Sequence, residues 1–153
     1  MKKIVNLSAV ILLLCIMFGT MPAQAQDCSK LTTAFVKTLD KIGVDIKRCN
    51  TLDEISDLDF EGLSEKYFQL ELDDIDASCL YTQLTPTDKK KLKSGFNTFF
   101  DNMINRMAEI YGSDELKQAF QEDVQPMKQQ YYQMIDASDS FYELMELMGE
   151  AEF

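Results

Sequence analysis

The chain has 153 residues, a formal net charge of −11 and no histidine. This length suits a single domain with one hydrophobic core. The lack of histidine excludes Ser-His-Asp and Cys-His catalysis and histidine-ligated zinc or copper sites. The acidic balance disfavours nucleic acid and anionic lipid as partners. We therefore expect a protein that is not an enzyme and carries no cofactor.

The first 25 residues have the pattern of a secretory signal peptide. Two lysines form the positive start, residues 7–18 form an apolar core, and Ala23-Gln24-Ala25 is a small-x-small cleavage site. The apolar core is shorter than the roughly 20 residues that span a bilayer. We expect cleavage after Ala25, a periplasmic or secreted domain over residues 26–153, and no membrane insertion of that domain.

The spacing of apolar residues predicts helices through most of this domain. The first helix is expected over residues 29–42, with Gly43 as its C-terminal stop. The next section is ambiguous. We predict a short helix over 51–58, a turn over 59–62 and a helix over 63–75. The residues around Phe68 also alternate as in a strand, but a single strand without a partner is unfavourable.

The clearest helix is predicted from Pro86 to Tyr111. Thr85 can cap its start, Asp88 stands at the capping-box position, and Gly112 ends it. A long stripe of phenylalanine and methionine makes this helix the expected core element. Residues in the middle of the stripe should be among the most buried, and these are Phe99 and Met103.

Two more helices are predicted after Gly112. Ser113 starts one that runs antiparallel to its predecessor, and its apolar stripe continues across Pro126, which should introduce a kink. A break is expected over residues 136–140. The predicted fold is therefore all-α: a small up-and-down bundle of four to five helices in a single domain.

The last helix is richer in apolar residues than one face of a bundle requires. Adaptable methionine and aromatic side chains are frequent on surfaces that bind varied apolar partners. The alternative is that both sides of this helix are covered within the bundle. The candidate partner surface consists of Phe141, Tyr142, Leu144, Met145 and Met148.

Three cysteines follow the predicted cleavage site: Cys28, Cys49 and Cys79. An odd number in an oxidising compartment predicts one disulfide and one leftover thiol. If residues 51–75 fold as a hairpin of two short helices, Cys49 and Cys79 meet. If they make one crossing of the bundle, Cys28 meets Cys79. The predicted turn at 59–62 favours the Cys49–Cys79 pair.

An acidic segment resembles the opening of a calcium-binding EF-hand loop. Asp57, Asp59 and Glu61 alternate as oxygen ligands, and Gly62 follows at the sixth position. Phe68 stands where the loop requires a bidentate glutamate, so the match is partial. An acidic module for a divalent cation such as calcium is the alternative function that this pattern supports.

The start of the long helix, Leu84-Thr85-Pro86 before a lysine-rich turn, is similar to helix starts in small periplasmic helical chaperones. The resemblance covers only a few residues and implies a chaperone-like role as a further alternative. The absence of catalytic motifs favours an exported, non-enzymatic helical protein that acts through contacts with an unidentified protein partner. A carboxylate-dependent hydrolase is the least favoured interpretation.

Overall fold

The computed structural model describes residues 28–72 and 75–150. The predicted signal peptide and its cleavage site lie outside these residues. The described residues form six α-helices and a 3₁₀ helix and contain no β-strand, so this part of the chain is all-α with slightly more helices than predicted. In chain order they are α1 (Ser29–Arg48), α2 (Leu52–Ser56), α3 (Phe60–Leu72), the 3₁₀ helix (Ala77–Tyr81), α4 (Pro86–Tyr111), α5 (Asp114–Ala137) and α6 (Phe141–Glu150).

Helices α1 and α4 run parallel through the centre of the bundle. Lys91 Nζ lies 2.8 Å from Thr33 Oγ1 near one end, and Arg106 Nε donates to the Cys49 carbonyl at 2.7 Å near the other. We call the first the disulfide end, because Cys28 bonds Cys79 there, and the second the hairpin end, because the α4–α5 turn lies there.

Helices α3 and α5 run in the opposite direction on either side of this central pair. On α3, Glu71 pairs with Lys37 and Lys41 of α1. Lys93 near the start of α4 pairs with Asp136 near the end of α5 at 2.7 Å. Helix α6 then returns from the disulfide end, which completes the predicted up-and-down order.

Helix α1 extends past the predicted stop at Gly43, which is buried inside it. The apolar stripe continues through Ile46, which is fully buried, and the burial outweighs the roughly 1 kcal/mol that glycine costs in a helix interior. The two central helices also approach closely at Gly95. A Cβ atom there would lie 2.9 Å from Cγ2 of Val36, so glycine is required for this packing.

Helix α4 has the predicted ends. The Thr85 hydroxyl accepts from the Asp88 N–H, the Asp88 carboxylate accepts from the Thr85 N–H, and Gly112 adopts a left-handed conformation with φ of 66°. The prediction that Phe99 and Met103 are among the most buried residues is wrong, because both are only partly buried. The fully covered stripe follows steps of four and consists of Leu92, Phe96, Phe100 and Ile104.

Helix α5 is continuous across Pro126, as predicted. It ends at Ala137, and the Ser138 N–H donates to the Met134 carbonyl at 3.0 Å. The Ser140 hydroxyl accepts from the Glu143 N–H at 3.2 Å at the start of α6. The predicted break between the last two helices is confirmed.

The predicted Cys49–Cys79 disulfide is wrong: Cys28 bonds Cys79, and Cys49 is a buried free thiol. The reason is the path of the middle segment. The expected turn at 59–62 is absent, since α3 begins at Phe60, and α2 spans only five residues. Helix α3 alone crosses the bundle, and this single crossing returns the chain to the disulfide end.

The core consists of two clusters. The larger cluster fills the disulfide end and includes buried residues of α1, α3, α4, α5 and α6, among them Phe35, Phe68, Phe96, Ile135 and Phe141. The smaller cluster lies toward the hairpin end and contains only Ile42, Ile46, Cys49 and Ile55 as buried members. The two ends of the bundle therefore differ in how completely they are covered.

Candidate functional site

The predicted partner surface on the last helix is wrong, because most of it lies inside the protein. Four of its five side chains are 5% exposed or less: Phe141, Leu144, Met145 and Met148. Phe141 contacts the rings of Phe35 and Phe68 at centroid distances of 5.4 and 6.4 Å. The fifth, Tyr142, is partly buried and stacks on Tyr81 at 5.1 Å. Helix α6 is a core helix, covered on both sides as the alternative supposed.

The acidic segment does not form the predicted ligand loop. Phe60 begins α3, so the fourth and later loop positions are helical, and Gly62 lies in the first turn. Asp59 Oδ1 accepts from the Gly62 N–H at 2.9 Å, which is a helix-capping contact. Within residues 28–72 and 75–150, no group of three His, Cys, Asp or Glu side chains is placed to hold a metal ion.

Buried reactive groups are held in unreactive states. Burial, as the largest cause, raises the pKa of the Cys49 thiol, which keeps it protonated. Burial also raises the pKa of Tyr131 to about 12, so its phenol stays neutral at physiological pH.

Lys128 is nearly buried, and its Nζ contacts Asp101 Oδ1 at 2.6 Å and Asn97 Oδ1 at 3.0 Å. This contact fixes α5 against α4.

Lys89, Lys90 and Lys93, near the start of α4, line a cleft of about 500 Å³ at the disulfide end. Lys89 and Lys93 contact the end of α5. Lys89 Nζ donates to the Asp136 carbonyl at 2.9 Å, and Lys93 Nζ contacts Asp136 Oδ2 at 2.7 Å. These contacts hold α4 and α5 together.

The hairpin end carries the candidate functional surface, which sequence reasoning missed. Residues seven positions apart in a helix lie on the same face. On α4, Phe96 is buried, but Met103 and Ile110, one and two heptads later, are partly exposed. Phe100 is likewise buried, while Met107 is partly exposed. One face of α4 is therefore core at the disulfide end and half-open at the hairpin end.

Helix α5 shows the same change along its length. Met134 and Met127 pack against the larger cluster, and Phe120 lies seven residues before Met127, toward the hairpin end. Met127 and Phe120 are partly exposed, and Leu116 is 37% exposed. Among the described residues, Leu116 and Phe120 belong to neither core cluster. Phe120 contacts the ring of Tyr111, which is itself 51% exposed, at 5.9 Å.

We call this half-open apolar region the hairpin surface. Within the described residues, α6 extends along only part of α4. Helix α6 spans about 15 Å and α4 about 39 Å, and all the buried residues of α6 belong to the larger cluster. The hairpin surface consists of Met103, Met107 and Ile110 of α4 together with Leu116, Phe120 and Met127 of α5.

Helix α3 contributes Phe60, Leu63 and Tyr67 to the packing around the smaller cluster and also carries two partly exposed glutamates. Phe68 of α3 contacts Phe141 of α6, and Leu72 packs against the same cluster. Seven residues earlier on these two stripes stand Glu61 and Glu65, which are partly exposed. None of the ion pairs within the described residues includes either glutamate.

The sequence held a signal for this surface. The stripes of α4 and α5 stay apolar for their full length, whereas the described part of the last helix ends at Glu150. Comparing these described lengths indicates that α6 packs along only part of the two stripes. The apolar composition of the last helix instead led to a predicted partner surface at Phe141–Met148, where the apolar residues are covered.

Every helix within the described ranges is too short or too polar to cross a membrane. No protein-family model, curated protein or solved structure matches this chain.

Proposed function

We propose that this chain is an exported, non-enzymatic helical protein that acts by binding another protein through the hairpin surface. The observation that carries the proposal is the change along α4 and α5, where stripes that are core at the disulfide end are half-open at the hairpin end. A partly exposed apolar region of this kind is typical of surfaces that bind proteins.

Two further features support export and a non-enzymatic role. The Cys28–Cys79 bond is of the kind that persists in oxidising compartments, which agrees with the signal-peptide pattern of residues 1–25. The chain also lacks histidine, and Cys49, the free cysteine among the described residues, is buried with a raised pKa. These groups offer no activated nucleophile or general base.

Export is tested by the intact mass of the mature product. We expect a chain that starts at Gln26, with or without cyclisation to pyroglutamate. A product that retains residues 1–25, or that carries a lipid on Cys15, would contradict this part of the proposal.

Protein binding is tested by placing a photo-crosslinking amino acid at Leu116, in the hairpin surface. The matched control is Leu70, which is 61% exposed on α3 and lies outside this surface. After illumination in the compartment to which the chain is exported, we expect discrete protein adducts from position 116 and none from position 70. No adduct from position 116, or the same adducts from both positions, would refute the proposal.

A further inference from the structure

We propose that the cleft between the start of α4 and the end of α5 binds a small, soluble phosphate monoester. The cleft lies at the disulfide end, whereas the hairpin surface lies at the opposite end of the bundle. Phosphate binding there would be a second property of the protein, independent of the hairpin surface.

The cleft is large enough for a small ligand and has a fixed frame. Its volume of about 500 Å³ falls in the range of small-molecule sites. Leu84, on its apolar side, is buried, and the Leu84 N–H donates to the Asp139 carbonyl at 2.8 Å. Pro86 lines the cleft at the start of α4, which the Thr85–Asp88 capping box holds in place. The segment before α4 and the segment after α5 thus fix the lining residues.

The lining carries a surplus of positive charge. Lys89, Lys90 and Lys93 lie on the same side of α4, within about one turn. Asp136 is the one carboxylate among the described residues that line the cleft. Asp88, beside Lys89 in the sequence, is instead buried in the capping box. Three ammonium groups against one carboxylate leave two positive charges, which the dianion of a phosphate monoester would balance.

The ammonium groups are positioned and keep donors for a ligand. Each lysine ammonium has three N–H donors. Lys89 Nζ donates to the neutral carbonyl of Asp136 at 2.9 Å, and Lys93 Nζ contacts the Asp136 carboxylate at 2.7 Å. Lys90 is exposed, and none of the ion pairs within the described ranges includes Lys89 or Lys90. A phosphate would pair these two charges through strong, charge-assisted hydrogen bonds.

The rest of the chain favours a small anion over an extended one. The net charge is −11, so an anionic membrane or a nucleic acid would meet repulsion beyond the lysines. The attraction of the lysines acts over a Debye length of about 8 Å at physiological salt, which is enough for a single phosphate group. Leu84 and Pro86 offer apolar surface to the organic part of the ester.

The test is a calorimetric titration of the exported chain, with its disulfide intact, against phenyl phosphate at about pH 7.5, where a phosphate monoester is largely a dianion. Phenyl sulfate is the control, because it has a similar shape and only one charge. We expect phenyl phosphate to bind at least about fivefold more tightly and to weaken as salt is raised. Equal affinities would overturn the preference for a dianion, and no measurable binding of phenyl phosphate would refute the site.

A second measurement distinguishes a soluble ester from a lipid headgroup. Vesicles that contain phosphatidic acid present the same phosphate monoester on a membrane surface. We expect no sedimentation of the chain with these vesicles, because its acidic surface is repelled by them. Sedimentation with the vesicles would overturn the assignment to a soluble ligand.

Two neighbouring variants locate the binding site. Lys90→Gln and Lys91→Gln remove the same charge from exposed positions of α4, but Lys91 does not line the cleft and contacts Thr33 of α1 instead. Lys90→Gln should weaken binding of phenyl phosphate about five- to tenfold at low salt, and Lys91→Gln less than about twofold. Equal losses would place the attraction in the overall charge and refute the cleft. Crosslinking at position 116 tests the hairpin surface separately, so either proposal can fail without the other.

Discussion

The disulfide end and the hairpin end of this bundle are built from the same helices, yet they differ in what covers them. At the disulfide end, α6 packs against α5 and the 3₁₀ helix, its Phe141 contacts Phe68 of α3, and residues such as Phe96 and Ile135 are 2% exposed or less. At the hairpin end, the same face of α4 presents partly exposed Met103 and Met107. Helical periodicity thus identifies a face, but its burial depends on the length of the neighbouring helix.

Helices α3, α4 and α5 differ in the residues that they carry beyond the end of α6. On α3, Phe68 and Leu72 lie toward the disulfide end, and the residues seven positions before them, toward the hairpin end, are Glu61 and Glu65. Helices α4 and α5 keep apolar side chains throughout. On α4, Met103 and Met107 pack against the smaller cluster while they remain partly exposed, so burial on one side accounts for their apolar character.

The largest expected difference between the two ends is in core stability. Phe96→Ala at the disulfide end removes a fully buried ring and should lower the free energy of unfolding by about 3–5 kcal/mol. Phe120→Ala at the hairpin end removes a partly exposed ring outside both clusters and should cost less than about 1.5 kcal/mol. Urea denaturation of both variants measures this difference.

Equal losses in the two phenylalanine variants would show that the hairpin end is packed as tightly as the disulfide end. The hairpin surface would then be part of the core in solution, and the comparison between the ends would fail. A loss of less than about 1 kcal/mol for Phe96→Ala would contradict its burial.

The disulfide should have the next largest effect. The bond joins residues 51 positions apart, and a loop of this length stabilises by about 4 kcal/mol in the chain-entropy model, although measured values are typically about 2–4 kcal/mol. Cys28→Ala with Cys79→Ala should therefore lower the free energy of unfolding by about 2–4 kcal/mol. Cys49→Ala is the control: it removes the free thiol, leaves the bond intact and should cost less than the double variant. A bridge containing Cys49 in a non-reducing peptide map would contradict this pairing.

Much of the fold could be predicted because its helices carry strong local signals. The Thr85–Asp88 capping box and the left-handed Gly112 fix the two ends of α4 through short-range contacts. The end of α1 could not be predicted in the same way. Gly43 is a local stop signal, but tertiary burial of Ile46 overrides it. The disulfide required the path of α3, which is a tertiary property.

The candidate site was harder to predict than the fold. Phe141 and Met148 have the composition of a binding surface, but the helices around them decide that they are buried. Phe120 has the composition of a core stripe, but it belongs to neither core cluster and is partly exposed. Composition and periodicity do not show which helix covers which face. The sequence therefore predicted a binding surface in the region that is buried and a core in the region that is partly exposed.

Ser64, one turn before Phe68 on α3, offers a smaller test. Its hydroxyl is buried and has no hydrogen-bond partner among the described residues. Ser64→Ala removes this unpaired group and improves helix propensity, so it should raise the free energy of unfolding by about 0.5–1 kcal/mol. The control is Ser94→Ala on the exposed side of α4, which should gain only from propensity. Destabilisation by Ser64→Ala in thermal or urea unfolding would show that the hydroxyl makes a favourable contact.

The smallest expected effect concerns Glu71 of α3, which anchors this helix to α1. Hydrogen bonds from Lys41 and then Lys37, at 2.7 and 3.0 Å, lower the pKa of its carboxyl below the ordinary 4.5. Because the folded-state pKa is lowered, the stabilisation is present above the unfolded pKa and is lost as pH falls through the folded value. Glu71→Gln should therefore be less stable than the unaltered chain at pH 7, by less than about 1 kcal/mol because the pair lies at the surface.

The difference between Glu71→Gln and the unaltered chain should shrink below about pH 4.5 and vanish in stronger acid. Urea unfolding at a series of pH values measures it. Lys37→Gln with Lys41→Gln removes the same interaction from the other helix and should give the same pH-dependent difference. A difference that persists unchanged in acid would instead mean that Glu71 stabilises the α1–α3 contact through packing rather than through its charge.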